Sequence, residues 1–291
     1  MRYPPLTERR ARPPLIAVAH GSSDPRAAAA VTELVALVRA RSGALGLDAR
    51  AAFLGHALPS VPDVLEAVYG GHSNNRLERG APTAVVLPLL LTAAYHSDAD
   101  LPVLLGEATR RLPGLRISYG EPLGPHSGLL RALDRRLAEA DPPGAAPSDA
   151  TAVSGPPAAL GPRETAVVLA AAGSSRPAAN AAVARVAADW QRTRGWLSVV
   201  PAYASAAAPS PGEAVAGLLA AGARRVVVAS YLLAPGVFAD QVRDRSLAAG
   251  AAAVSAPLGA APEVADVVIE RYLQTACEDA ELRVRDRAAE R

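Results

Sequence analysis

The sequence predicts an α/β protein of two tandem, similar lobes, each a small parallel sheet flanked by helices in flavodoxin-like layers. Short apolar runs alternate with amphipathic stretches along the chain, as parallel strands joined by crossover helices require. The stretch Leu15 to Arg26 (LIAVAHGSSDPR) returns as Val167 to Ala178 (VVLAAAGSSRPA), so a scaffold is repeated. Between the copies, Asp141 to Arg163 is rich in Pro, Gly, Ala and Ser and reads as a linker. A chain of 291 residues is long for one domain and comfortable for two, each able to bury a core. The expected division is an N-terminal lobe over 14–140, a linker over 141–163, a C-terminal lobe over 164–276 and a charged tail over 277–291.

Leu15 to Ala19 is short and wholly apolar, so it reads as a strand buried on both faces. After the HGSS turn a helix opens, with Asp24 placed to cap its free N–H groups and Pro25 in its first turn. Val31, Leu34, Val35 and Val38 recur at the spacing of a helix face lying on a sheet, and Ser42-Gly43 ends the run. A strand near Ala49 to Leu54 follows, then a helix from about Ser60, where Ser60 and Asp63 have capping-box spacing. Thr83 to Leu91 (TAVVLPLLL) is the most apolar run. Pro88 inside it has no N–H to give a ladder, which places it near a sheet edge or a bulge. A helix from about Asp98 to Leu112, a strand near Leu115 to Tyr119 and a helix from Gly128 to Ala140 complete the first half.

The second half repeats this order, with strands near Ala166 to Ala171, Leu197 to Tyr203, Arg225 to Leu233 and Ala251 to Ser255. Three further anchors tie the copies: FLGHALPS from Phe53 with YASAAAPS from Tyr203, LLLTAAYHSD from Leu89 with YLLAPGVFAD from Tyr231, and a recurrent PLG at Pro122 and Pro257. Formal net charge is +2 and every basic residue is arginine. The arginines are scattered rather than clustered, which reads as high-GC bacterial coding and argues against a nucleic-acid partner. Cys277 is the single cysteine, so no intramolecular disulfide is possible and a reducing cytoplasm is expected. The N-terminus lacks an apolar h-region and no apolar run approaches the roughly 20 residues that span a bilayer, so no membrane partner is expected.

Chemistry points to the first copy. All five histidines (His20, His56, His72, His96 and His126) precede the linker. In the repeat, His20 aligns with Ala172 and His96 with Phe238, so two imidazoles differ together between the copies. His20 directly follows the first strand and His96 lies just beyond the strand ending at Leu91. Ligands of parallel sheets gather at such strand ends, so both should face one crevice. Two neutral imidazoles on an open rim can hold a divalent transition metal while leaving positions for exchange, and can accept protons near neutral pH.

These residues resemble a family. AHGSSDPR at Ala19 to Arg26, the Phe-Leu and Pro-Ser of Phe53 to Ser60, PLLLTAAYHSDADLP at Pro88 to Pro102 and PLG at Pro122 to Gly124 are similar to the class II chelatases of the CbiX/SirB type, here in a two-lobe form. Those sirohydrochlorin cobalto- and ferrochelatases insert a metal into a tetrapyrrole for cobalamin or siroheme synthesis. The resemblance implies a tetrapyrrole cleft between the lobes, with His20 and His96 handling metal and protons and no permanently bound cofactor. Fe²⁺, Co²⁺ or Ni²⁺ would be a substrate; iron insertion is placed ahead of cobalt insertion on the high-GC composition, which suits an aerobic bacterium, and not on the resemblance. The polycarboxylate macrocycle would meet Ser22, Ser23 and Arg26 at the first helix N-terminus and Ser174 and Ser175 in the second lobe. The family motif after Phe-Leu carries an acidic residue where this chain has Gly55, with His56 beside it, so either His56 substitutes as a third metal ligand or it is a loop residue and the site is weakened.

Other residues have plainer readings. Tyr95 either packs in the core or stacks on the macrocycle, Asp100 supports His96 or caps a helix, His126 and His72 are loop residues, and Cys277 packs without reacting. A non-catalytic tetrapyrrole or metal carrier is the main alternative function. A histidine-type phosphohydrolase is weaker, because that class places arginine before the histidine and this chain has Ala19. A fused pair of lobes builds its cleft internally, so a monomer is expected.

Overall fold

In the computed structural model the described residues are 12–72, 83–92, 95–140 and 161–289, with the side chains of 72, 95–100, 280 and 282–289 outside that set. The first half runs β1 (Leu15–Ala19), α1 (Pro25–Arg41), β2 (Ala49–Phe53), α2 (Val61–His72), β3 (Ala84–Pro88), α3 (Tyr95–Arg111), β4 (Ile117–Tyr119) and α4 (Ser127–Ala140). The second runs β5 (Ala166–Ala171), α5 (Pro177–Arg194), β6 (Ser198–Tyr203), α6 (Pro211–Ala220), β7 (Val226–Tyr231), α7 (Val237–Ala248), β8 (Ala253–Val254) and α8 (Pro262–Ala289). Each half forms a four-stranded parallel sheet of the same order, β2-β1-β3-β4 and β6-β5-β7-β8. The strand order reverses between β1 and β3, and again between β5 and β7. Those gaps are where loops leave in opposite directions and a crevice opens.

Local chemistry explains the element starts. Asp24 caps α1 by accepting from the Arg26 N–H at 2.9 Å, with Pro25 in the first turn. Ser60 and Asp63 exchange hydrogen bonds at the start of α2, as Ser210 and Glu213 do at the start of α6. Strands β1, β3, β5 and β7 are buried at every residue, because helices cover both faces of each sheet.

Pro88 departs from expectation. It ends β3, an inner strand, opposite Val18 of β1, and is at neither an edge strand nor a bulge. The N–H of Ala84 faces the β4 side, bonding the Arg116 carbonyl, and that of Val85 faces the β1 side. By this alternation the Pro88 nitrogen points past β4, whose last pairing is Tyr119 with Val86. The missing N–H therefore costs no ladder bond.

The helices are shared between the sheets. Helix α4 packs on β7 and β8, whereas α8 packs on α1, β3 and β4, so each half sends its last helix to the other. One apolar core accordingly runs through both halves, joining Leu15, Ala17, Leu34 and Leu133 to Leu169, Trp190, Val264 and Val268. Separate outer cores lie under α2 and α3 (Ile16, Leu65, Leu101) and under α6 and α7 (Val168, Val215, Val242). The segment beyond Cys277, read from sequence as a tail, continues α8 as far as Ala289, and Asp279 accepts a hydrogen bond from Ser118 of β4. Of the expected linker, residues 141–160 lie outside the described set.

Candidate functional site

The strand tips of both switch points face a common cleft of about 900 Å³. From the first half it is lined by His20 to Ser22 after β1 and by Leu89 to Thr92 after β3. From the second it is lined by Ala172 to Arg176 after β5 and by Leu232 to Ala239 after β7. Most of this lining is aliphatic, with a small number of polar groups at the two HGSS-type turns. Its volume sits at the upper end of the roughly 300–1,000 Å³ typical of small-molecule sites.

The turns are built alike. Gly21 and Gly173 have φ of +88° and +85°, in the left-handed region. A Cβ at Gly21 would collide with the Gly55 carbonyl, and one at Gly173 with the Ser205 carbonyl. Only glycine lets the turn approach the neighbouring loop so closely. That loop is fixed in return, since Gly55 N–H donates to the His20 carbonyl at 3.1 Å and Ser205 N–H to the Ala172 carbonyl at 2.9 Å. His20 is thus held at the tip of β1 with its side chain exposed, and it is on the cleft wall.

The halves differ in what braces the turn. In the second, Asn180 accepts from Ser174 N–H at 3.0 Å and donates to the Ser174 carbonyl at 2.7 Å, while Tyr203 hydroxyl donates to the Asn180 carbonyl at 3.0 Å. The repeat position in the first half is Ala28, which cannot make such a clamp. Tyr231, buried at the floor, donates its hydroxyl to the Leu91 carbonyl of the other half at 3.0 Å. Burial pushes its phenol well above the usual range, so it stays a neutral donor.

Of the residues expected from sequence, His20, Ser22, Ser174 and Ser175 line the cleft. Ser22 Oγ accepts from Asp24 N–H at 3.1 Å, and Ser174 Oγ accepts from Arg176 N–H at the same distance. Ser23 is exposed outside the lining. Arg26 is also outside it: its guanidinium spans Asp24 of its own helix start and Asp240 of α7, each at 2.6 Å. Those partners raise the Arg26 guanidinium further above its usual range, and Arg26 in turn holds both carboxyls below theirs. Arg26 is therefore engaged as a tie between halves, and not with the cleft. His56 sits in an exposed turn with φ of +59° and does not line the cleft, although its counterpart Ala206 does.

His96 falls in the first turn of α3, as does Tyr95, and Asp100 follows on the same helix. The side chains of all three lie outside the described residues. Among the described residues no group of three or more His, Cys, Asp and Glu side chains could hold a metal ion. His126 accepts from Gly128 N–H at 3.0 Å through Nδ1 and faces Glu270 of α8 at 3.3 Å, away from the cleft lining. No described helix is long and apolar enough to cross a membrane. Sequence reasoning missed Asn180, Arg176, Tyr231 and Phe238. For Asn180 a signal existed in the repeat, a side chain able to bond backbone standing where the first copy has alanine.

Fold and site together define a two-lobed α/β protein with a largely aliphatic cleft between paired switch points and a histidine on one wall. The chain belongs to the CbiX family, whose sequence profile matches residues 14–140 and 166–275. It is 29% identical over 167 residues to a sirohydrochlorin cobaltochelatase of Priestia megaterium, covering 57% of this chain and 50% of that protein. It is 27% identical over 168 residues to a sirohydrochlorin ferrochelatase of Bacillus subtilis (strain 168), covering 57% of each. The chain thus spans about half the length of these curated relatives. The solved structure of SirB from Bacillus subtilis with Fe³⁺ superposes with a TM-score of 0.71 at 23% identity, covering 93% of this chain and 98% of that one. A SirB structure from Bacillus subtilis subspecies spizizenii in complex with cobalt gives 0.66 at 22% identity, covering 91% and 96%. The fold is therefore that of the two-lobe SirB proteins.

Proposed function

We propose that this chain is a sirohydrochlorin chelatase, which inserts a divalent metal into the free macrocycle, with Fe²⁺ preferred over Co²⁺. The observation that carries the reading is the place of His20: an imidazole at a strand tip, on the wall of an otherwise largely aliphatic cleft between two lobes. The names of its relatives supply the substrate class. Insertion requires an exchangeable metal, a macrocycle held against it and the removal of two pyrrole protons. A neutral imidazole can ligate the incoming metal or accept a proton, and His20 and His96 are assigned these tasks in this reading. The aliphatic walls exclude water and cover the macrocycle faces. Ser22, Ser174 and Ser175 offer hydroxyl and backbone groups to its carboxylates at two helix starts. Because one chain supplies both walls, a monomer is sufficient.

The test is the rate of the spectral change when Fe²⁺ or Co²⁺ is added to sirohydrochlorin with and without the protein. A chelatase accelerates it over the spontaneous reaction. Gly55, in place of an acidic residue, favours a second reading, in which the protein carries tetrapyrrole or metal without turnover. In that case both ligands bind while the spontaneous rate is unchanged.

A further inference from the structure

Two exposed apolar side chains stand at the start of α7, on the cleft wall contributed by the second half. Val237 is 64% exposed and Phe238 is 44% exposed, and both line the cleft. The chain has only two phenylalanines, and the other, Phe53, is 2% exposed. Other large apolar side chains are exposed singly, such as Leu58 and Leu247, whereas these two adjoin each other on the cleft wall, where an apolar occupant would cover both.

The backbone beneath it is held. Gly236, with φ of +152°, precedes the helix, and Asp240, two residues beyond Phe238, is fixed by Arg26 of the first half at 2.6 Å. This tie links the first turn of α7, which carries Phe238, to the start of α1, which follows the β1 tip and His20. The repeat gives the same contrast, since Phe238 occupies the position that is His96 in the first half. One wall carries the His20 imidazole and the other an apolar ring.

We infer that Phe238, supported by Val237, is the platform on which one face of the tetrapyrrole lies, so that the second lobe positions the macrocycle while the first carries the metal chemistry. This rests on the chelatase reading and adds to it a substrate-positioning residue. Stacking of a flat conjugated ring on an aromatic side chain is favourable and tolerant of ring substituents, which suits a platform better than a reactive group.

The experiment is a fluorescence titration of metal-free sirohydrochlorin into the full chain without added metal, comparing wild type, Phe238→Ala and Phe238→Trp, with folding checked by circular dichroism. Phe238→Ala is expected to weaken binding about tenfold. Phe238→Trp should restore affinity to within about threefold of wild type, and Co²⁺ binding measured by calorimetry in the absence of tetrapyrrole should not change. Wild-type affinity in Phe238→Ala, or a Trp variant as weak as the Ala variant, overturns the platform and leaves the chelatase reading standing. Absence of sirohydrochlorin binding by the wild type overturns both. Should Phe238→Ala fail to fold, Phe238→Ser and Val237→Ser supply the same comparison on the helix surface.

Discussion

At the scale of single residues, the account turns on which side chains the backbone delivers to the cleft. His20 was legible because the repeat shows it against Ala172 and a strand run ends just before it. Arg26 is paired across the halves for a physical reason that sequence hides. An arginine near a helix start suits an anionic ligand, but its partner Asp240 comes from an element far away in sequence, and pairing across lobes cannot be seen from local spacing. His56 is a position where sequence is silent, because adjacency to Gly55 says nothing of direction in a turn with positive φ. Two outcomes follow at this scale. Tyr231→Phe removes the hydroxyl that satisfies the Leu91 carbonyl and should cost about 1 kcal/mol of stability, read by urea denaturation. Gly21→Ala puts a methyl against the Gly55 carbonyl in a left-handed turn, and should destabilise by more than about 1 kcal/mol, measured the same way.

At the scale of elements, strand positions, the Asp24 cap and the Ser60–Asp63 box were all readable, since each depends on residues within a few positions of one another. The exchange of α4 and α8 was not. A period of 3.6 reveals that a helix has an apolar face and is silent on which sheet receives it. Trp190 of α5 shows how much that shared packing matters: it is fully buried, and its indole N–H donates to Asp134 of α4 at 2.9 Å. Trp190→Ala should cost about 3–5 kcal/mol, visible as a lowered denaturation midpoint. The tie between α1 and α7 has its own signature. Asp24 and Asp240 are held below the ordinary value of 3.8, so their contribution is complete above that pH and fades as pH falls through their lower folded values. Thermal stability of the wild type should therefore fall below about pH 4 more steeply than that of Asp240→Asn, whose tie is already weakened. Parallel curves would show that the tie contributes little.

For the whole molecule, one core threads both sheets and each half lends the other a helix, so the halves should not unfold separately. Both tryptophans, Trp190 and Trp196, stand in the second half where α4 of the first packs on it, so their fluorescence reports that shared core, whereas far-ultraviolet circular dichroism reports the helices of both halves. The two denaturation curves should coincide, and distinct midpoints would show independent lobes. Shared architecture with unequal walls is also the functional claim: identical sheet orders place two turns across a cleft, and one of them carries the imidazole. The measurement that tests this most directly is the metallation rate of sirohydrochlorin with Fe²⁺ or Co²⁺ for wild type and His20→Ala. The account predicts acceleration by the wild type and a loss of about a hundredfold or more in the variant, toward the spontaneous rate. A His20→Ala protein as fast as the wild type would contradict it.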